Sequence, residues 1–273
     1  MKYIFQIVVC VITVFGIQLH GSTTLTTSLF YRSISDIQCP NGYTRTQEEP
    51  NSFGTWLRKQ TLKQSNDVYL YNGMLKANQT AQFAVLDIEI GKQDLQQCAD
   101  ACMRLRAEYL FATNQKDKIR FRFTNGTDAK FSEWIKGYRP HLKGNKVSWT
   151  KDAKYDDSYT SLRQFLIPVF RFCGTASLEK ELPNVYVKDI QIGDVIIKGG
   201  FPGHAIMVVD MTRNSYGKTM VMVAQSYMPA QDIHVLRNPA NPSSPWFEIG
   251  NTQTFETPEW TFTNFPNQIR RFR

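Results

Sequence analysis

The spacing of apolar residues predicts helices in the earlier part of the chain and strands in the last third. Between residues 94 and 110, apolar or small side chains recur at the 3.6-residue period of a helix, and Asp94 is placed to cap its start. Residues 158–172 predict a second helix, with Pro168 inside it. Four later apolar runs, separated by Gly, Pro and Asn turns, predict an antiparallel meander over residues 195–198, 205–211, 220–224 and 233–236.

Shorter signals lie between these elements. Asn72-Gly73 between apolar runs predicts a hairpin, and residues 131–135 predict a short helix. Residues 82–90 and residues 119–124 each predict a strand, whereas residues 138–157 are polar and predict an irregular segment. The whole pattern predicts an α+β domain, with N-terminal helices packed on a mostly antiparallel sheet.

The N-terminus has the pattern of a signal peptide. Lys2 precedes an almost continuous apolar run over residues 4–17, and small residues follow it. That run is shorter than the roughly 20 apolar residues of a spanning helix. We therefore expect export to the periplasm or the cell exterior and no stable membrane span after cleavage, a retained anchor being the alternative. The expected parts are a signal peptide (1–22), an N-terminal extension (23–60) and a single α+β domain (61–273).

Composition and charge narrow the class of partner. Hydrophobic residues make up 42% of the 273 residues, as in a globular protein, and the formal net charge is +8. A basic exported protein suits polyanionic surroundings, so we expect a cell-wall peptide or another envelope polymer as partner. Because the Lys and Arg residues are scattered and the protein is expected to be exported, we do not expect nucleic acid. The oligomeric state stays open.

Four cysteines follow the predicted signal peptide: Cys39, Cys98, Cys102 and Cys173. In an oxidising compartment they allow three disulfide pairings, and a disulfide-stapled structural protein is one possible interpretation. Cys98 and Cys102 lie four residues apart on one predicted helix, which is poor disulfide geometry, and Cys102 is expected in the core. Neither the cysteines nor the histidines have the spacing of metal ligands, and no phosphate-binding glycine motif occurs. We therefore expect neither a metal nor a cofactor.

Cys98 and His204 carry the catalytic interpretation. A thiol near the start of a helix faces the positive end of the helix dipole, which is expected to lower its pKa. His204 follows a Gly- and Pro-rich turn and begins a buried strand, so it is the candidate base. Gln225 ends the next strand, where an ordinary hairpin register brings it beside His204 to orient the ring. His234 is the alternative for that third position.

Three further residues are candidates for substrate binding: Gln97, Ser226 and Tyr227. The side chain of Gln97 is expected to assist the backbone N–H of Cys98 in stabilising an oxyanion. The structural alternatives are that Cys98 is a small buried hydrophobe and that Gln225 and Ser226 only cap a strand end.

This arrangement resembles the NlpC-type cell-wall peptidases of the papain-like superfamily. In that group a cysteine opens a helix packed on a sheet, and a Gly-Asp strand shortly precedes a histidine that begins the next strand. Gly193-Asp194 precedes His204 at a similar interval here. The resemblance implies a papain-like fold and a cysteine hydrolase or acyltransferase acting on an amide, with Cys98 as nucleophile.

The residues that flank the cysteine differ from that group. NlpC-type enzymes usually have Asp before the cysteine and Ser after it, whereas this chain has Gln97 and Ala99. This difference supports an alternative function, a non-catalytic envelope module of the same fold that binds peptide or glycan. Longer stretches also resemble a bacterial secreted family classed as a domain of unknown function, which implies export and assigns no activity. These stretches are residues 97–110, 225–236 and 257–262.

Overall fold

An eight-stranded antiparallel sheet organises the α+β fold of the protein. The computed structural model describes residues 31–273, so the predicted signal peptide and residues 23–30 of the predicted extension lie outside the described residues. The strand order is β14-β7-β8-β9-β10-β2, with β1 beside β8 and β11 beside β9. The strands are β1 (Tyr43–Arg45), β2 (Gln82–Val85), β3 (Arg120–Arg122), β4 (Asp128–Lys130), β5 (Tyr138–Lys143), β6 (Lys146–Lys151), β7 (Val195–Lys198), β8 (His204–Asn214), β9 (Thr219–Gln225), β10 (His234–Leu236), β11 (Trp246–Ile249), β12 (Phe255–Glu256), β13 (Thr261–Phe262) and β14 (Ile269–Arg270).

The helices of the described chain pack either against this sheet or against one another. They are α1 (Phe53–Arg58), α2 (Cys98–Ala112), α3 (Phe131–Ile135), α4 (Tyr159–Phe172) and α5 (Thr175–Glu181). Helix α2 packs directly against β8, and α4 continues through Pro168. No helix in the described part of the chain is both long enough and apolar enough to cross a membrane.

The predicted meander is confirmed in β7, β8, β9 and β10. The central strand β8 is buried along residues 204–212, because neighbouring elements cover both of its faces. Such double coverage explains why these strands have nearly continuous apolar runs instead of alternating ones. The β8–β9 hairpin turns at Asn214–Gly217 and contains a bulge between Val208 and Asp210.

Helix α2 begins three residues later than the pattern predicted. Gln97 is its N-cap residue, and the Asp100 carboxylate accepts a hydrogen bond from the Gln97 N–H at 3.0 Å. The prediction that Asp94 caps the helix is wrong. Its carboxylate instead accepts from the Ala230 N–H at 2.6 Å and ties the segment before α2 to the loop after β9. As a result, Cys98 is the first residue of the helix.

The prediction that residues 138–157 are irregular is wrong for residues 138–151, where β5 and β6 form a regular hairpin, and holds for residues 152–157. Most of its side chains are partly or fully exposed, so no apolar alternation marks it in the sequence. The hairpin predicted at Asn72-Gly73 is confirmed by the pairing of Tyr69 with Leu75.

Residues 31–60 belong to the same compact unit as the rest of the described chain, which spans Tyr31–Arg273. Strand β1 pairs with β8, and α1 packs against α2 and β8. The described part of the predicted extension thereby covers the far end of the strand that His204 begins.

Candidate functional site

Cys98 and His204 line the same pocket, which has a volume of about 460 Å³. Cys98 opens α2 and His204 opens β8, so the packing of α2 on β8 brings the two together. The backbone N–H of Ala205, the residue next to the histidine, is close enough to lower the pKa of the thiol. Within residues 31–273, the thiol and the imidazole form no direct hydrogen bond.

The pKa of the Cys98 thiol is raised, contrary to the expectation from the helix dipole. Burial is the largest cause and the charge of Asp100 adds to it, giving a pKa of about 11. The backbone N–H groups of Ala205, Ala99 and Cys98 itself act in the opposite direction. Desolvation therefore outweighs the helix terminus, and the resting thiol is neutral at neutral pH.

His204 is also neutral. Burial lowers its pKa to about 4, and the hydrogen bond to Gln225 only partly opposes this. Three aromatic rings surround the imidazole, those of Tyr227, Trp260 and Phe262, at centroid distances of 4.9, 5.3 and 6.0 Å. They hold the ring in an apolar setting while one edge faces the neighbouring strand.

That edge meets Gln225, as the hairpin register predicted. His204 Nε2 lies 2.8 Å from Gln225 Oε1. A carbonyl oxygen only accepts hydrogen bonds, so Nε2 carries the proton. In the neutral ring the lone pair is then on Nδ1, which leaves Nδ1 as the nitrogen able to accept a proton.

The orientation of the Gln225 amide is itself fixed from two sides. Gln225 Nε2 donates to Glu259 Oε2 at 2.9 Å, and it lies 3.4 Å from His234 Nε2. His234 Nδ1 lies 2.9 Å from the Asp232 carbonyl and must donate to it, so Nε2 of His234 is an acceptor. A reversed amide would place its oxygen against the Glu259 carboxylate and against this lone pair. His234 therefore supports Gln225 from behind and does not replace it.

A buried ion pair anchors this arrangement. Lys76 Nζ lies 2.6 Å from Glu259 Oε2, and Asn78 Nδ2 donates to Glu259 Oε1 at 3.1 Å. Sequence reasoning missed all three residues. Lys76 and Glu259 are 183 positions apart, and neither stands in a motif whose spacing indicates the other.

The three predicted substrate-binding residues have different positions. Gln97 lines the pocket, but its amide donates to Asp94 Oδ1 at 3.1 Å. Tyr227 also lines the pocket, with its hydroxyl 3.4 Å from the Glu259 carbonyl. Ser226 is not among the described lining residues. Its buried hydroxyl lies 2.8 Å and 2.9 Å from the carbonyl oxygens of Gln96 and Gln231.

The cysteines other than Cys98 and the Gly193-Asp194 pair have no assigned catalytic role, and their positions are as follows. In residues 31–273 all four cysteines are free thiols; Cys102 is buried in the core as predicted, and Cys173 lines the pocket. The Asp194 carboxylate accepts from Arg271 at 2.6 Å and 2.8 Å, so this aspartate holds the C-terminal segment. Gly193 has φ +93°, and a Cβ there would lie 2.6 Å from the Phe53 ring.

Comparison with known proteins identifies the family alone. No curated protein and no solved structure matches the chain. The sequence model of a family described as Domain of unknown function (4846) matches residues 34–271, most of the chain, and the protein therefore belongs to that family.

Proposed function

We propose that the protein is an exported papain-like cysteine hydrolase or acyltransferase that acts on an amide bond. Cys98 is the nucleophile, His204 the base and later the acid, and Gln225 the orienting group. The observation that carries the proposal is the fixed tautomer of His204. Gln225 holds the proton on Nε2 and leaves the Nδ1 lone pair of a pocket-lining imidazole free to accept one.

The reaction starts from a neutral pair. As Cys98 Sγ attacks the carbonyl carbon, the thiol proton passes to His204 Nδ1 and the C=O π electrons move to oxygen. When the tetrahedral intermediate collapses, the C–N bond breaks and Nδ1 gives the proton to the leaving amine. Water, or an acceptor nucleophile in a transferase, then attacks the thioester. It loses its proton to Nδ1, and Cys98 leaves with that proton restored.

The contacts of Gln225 with Glu259 are compatible with protonation of His204 during this cycle. When His204 becomes an imidazolium, its Nε2–H donates to an amide oxygen whose own N–H group faces the Glu259 carboxylate. The Glu259 carboxylate, which is paired with Lys76, fixes the orientation of the Gln225 amide, and the amide oxygen then accepts from the imidazolium, as the orienting amide of a catalytic triad does.

Cell-wall peptides are the first substrates to test, because export and a basic surface suit the cell envelope. The mature protein is incubated with purified cell-wall peptides, and the products are followed by mass spectrometry. We expect cleavage or transfer by the wild type and by Cys39→Ala, a matched change of a free thiol that does not line the pocket. Cys98→Ala and His204→Ala should give none. Product formation by Cys98→Ala would refute the assigned nucleophile.

A non-catalytic binding module is the second candidate. The raised pKa of Cys98 and the absence of a direct thiol–imidazole hydrogen bond in residues 31–273 favour it. Under this function, peptide or glycan binding survives both Cys98→Ala and His204→Ala, and the wild type forms neither product nor acyl adduct. An acyl adduct mapped to Cys98 would exclude it.

A further inference from the structure

The pocket beside Cys98 has apolar side chains at its rim as well as in its walls. Phe201 is 97% exposed and Met228 is 58% exposed, and both line the pocket. Phe170, Trp260 and Ala176, which are partly buried, also line the pocket. Large apolar side chains left in water next to a concave apolar wall are typical of a surface that a ligand covers.

The pocket is also uncharged, although the protein is basic overall. Among the described residues that line it there is no lysine or arginine, against a formal net charge of +8 for the whole chain. Its one carboxyl group, that of Asp100, is buried, and burial raises its pKa well above the ordinary value. A charged group on a ligand would therefore lose its hydration here without gaining a counter-charge.

We propose that this pocket binds an uncharged, apolar acyl group, and that Phe201 and Met228 are the residues that select it by closing over its surface. The identification of that group as the acyl side of the scissile bond rests on the proposed function. Binding of the group is independent of the proposed function, because binding depends on the walls and rim of the pocket and not on the thiol.

The backbone offers a way to fill the pocket without strain. Gly174 lines it in an extended conformation, with φ at 179°, and a Cβ built there meets no atom within 4 Å. A larger side chain at this position therefore occupies open space next to the pocket. Gly174→Leu should compete with a ligand for volume while leaving the fold intact.

The test measures binding to Cys98→Ala protein by calorimetry, so that no reaction interferes. Three probes are used. The first is N-methyloctanamide, which is neutral, and the second is the N-methyl monoamide of octanedioic acid, which adds a carboxylate at the far end of the same chain. The third is N-acetyl-leucine N-methylamide. We expect the neutral octanamide to bind at least tenfold more tightly than the acid. The leucine derivative distinguishes an aminoacyl from an alkanoyl source of the same apolar chemistry.

Further substitutions in the Cys98→Ala protein test whether the rim residues contribute to this binding. Phe201→Ser combined with Met228→Ser should weaken binding of the better neutral probe about tenfold, and Gly174→Leu should weaken it as well. Tyr216→Ser is the matched control, because Tyr216 is 88% exposed on the β8–β9 turn and does not line the pocket. Equal affinity for the acid and the neutral probe, no binding of any neutral probe, or a rim variant that behaves like Tyr216→Ser would overturn the proposal. Failure of the proposed function alone would leave these affinities unchanged and remove only the acyl adduct in wild-type protein.

Discussion

The side-chain amide of Gln225 uses its oxygen and its N–H groups at the same time, and this decides which nitrogen of His204 carries the proton. Gln225→Met keeps much of the volume and removes the acceptor, so the proton on Nε2 is no longer held. We expect ¹⁵N spectra of His204 to lose the pure Nε2–H pattern. Unpairing His234 Nε2 should reduce the free energy of unfolding by about 1–3 kcal/mol.

Ser226→Ala is the matched control for that change. Ser226 is the next residue, is equally buried and also loses hydrogen bonds, but its hydroxyl faces backbone carbonyls away from His204. Its His204 spectrum should match the wild type. If Gln225→Met also keeps the wild-type spectrum, the tautomer is set by the aromatic surroundings and not by the amide.

The Cys98 thiol gives a second prediction at the residue scale. With a pKa of about 11, its alkylation by iodoacetamide should be slow at neutral pH. The rate should rise about tenfold per pH unit between pH 7 and 9, because the thiolate is the reacting species. Peptide mapping by mass spectrometry measures the rate at each cysteine.

Cys173 is the internal comparison. Burial raises its pKa further than that of Cys98, so it should be labelled more slowly at every pH in the native protein. A Cys98 rate that reaches a plateau below pH 8 would show a lowered pKa, and the helix terminus would then outweigh burial after all.

At the element scale, Asp210 joins the N-terminal segment to the central strand. Its fully buried carboxylate on β8 contacts Arg45 Nε of β1 at 2.7 Å and Arg58 Nε of α1 at 2.6 Å. Asp210→Asn keeps the shape but leaves two partly buried guanidinium groups without their anion. We expect the free energy of unfolding to fall by about 3–5 kcal/mol in urea titrations.

An exposed ion pair on the same sheet provides the control. Lys218 and Glu248 lie 3.5 Å apart with more than half of each side chain in water. Lys218→Gln should change stability by less than about 1 kcal/mol. A similarly small loss for Asp210→Asn would mean that the N-terminal segment contributes little to the stability of the sheet.

The elements that the sequence predicted well are those whose signals are local. Strand β7 and helix α3 have the predicted bounds, and the Gln225–His204 contact followed from one hairpin. The β5–β6 hairpin was missed because it is mostly exposed and has no apolar alternation. Lys76 and Glu259 were missed because their meeting depends on how distant loops are placed, which no periodicity records.

At the scale of the whole molecule, the buried histidines make stability depend on pH. Folding lowers the pKa of His234 from 6.5 to about 3 and that of His204 to about 4. Below pH 6.5 these two histidines are therefore protonated in the unfolded chain while they remain neutral in the folded protein. The stability they contribute is present above pH 6.5 and is lost as the pH falls toward the folded-state values.

Buried carboxyl groups act in the opposite direction. Burial raises the pKa of Asp100, Asp194 and Glu181, so these groups favour the folded state at low pH and lose that contribution as the pH rises. The pH dependence of the free energy of unfolding of the wild type is the sum of the contributions of the buried histidines and the buried carboxyl groups. A difference between two proteins is needed to isolate the histidine.

His234→Gln provides that difference, because glutamine can still accept from Gln225 and donate to the Asp232 carbonyl without titrating. We expect the free energy of unfolding of the wild type to fall relative to His234→Gln between pH 6.5 and 3, by at most about 5 kcal/mol. Urea titrations across this range measure it. Parallel curves for the two proteins would mean that the folded state accepts a proton on His234. The hydrogen bond from Gln225 to His234 would then be lost in acid, and with it one of the two contacts that hold the amide toward His204.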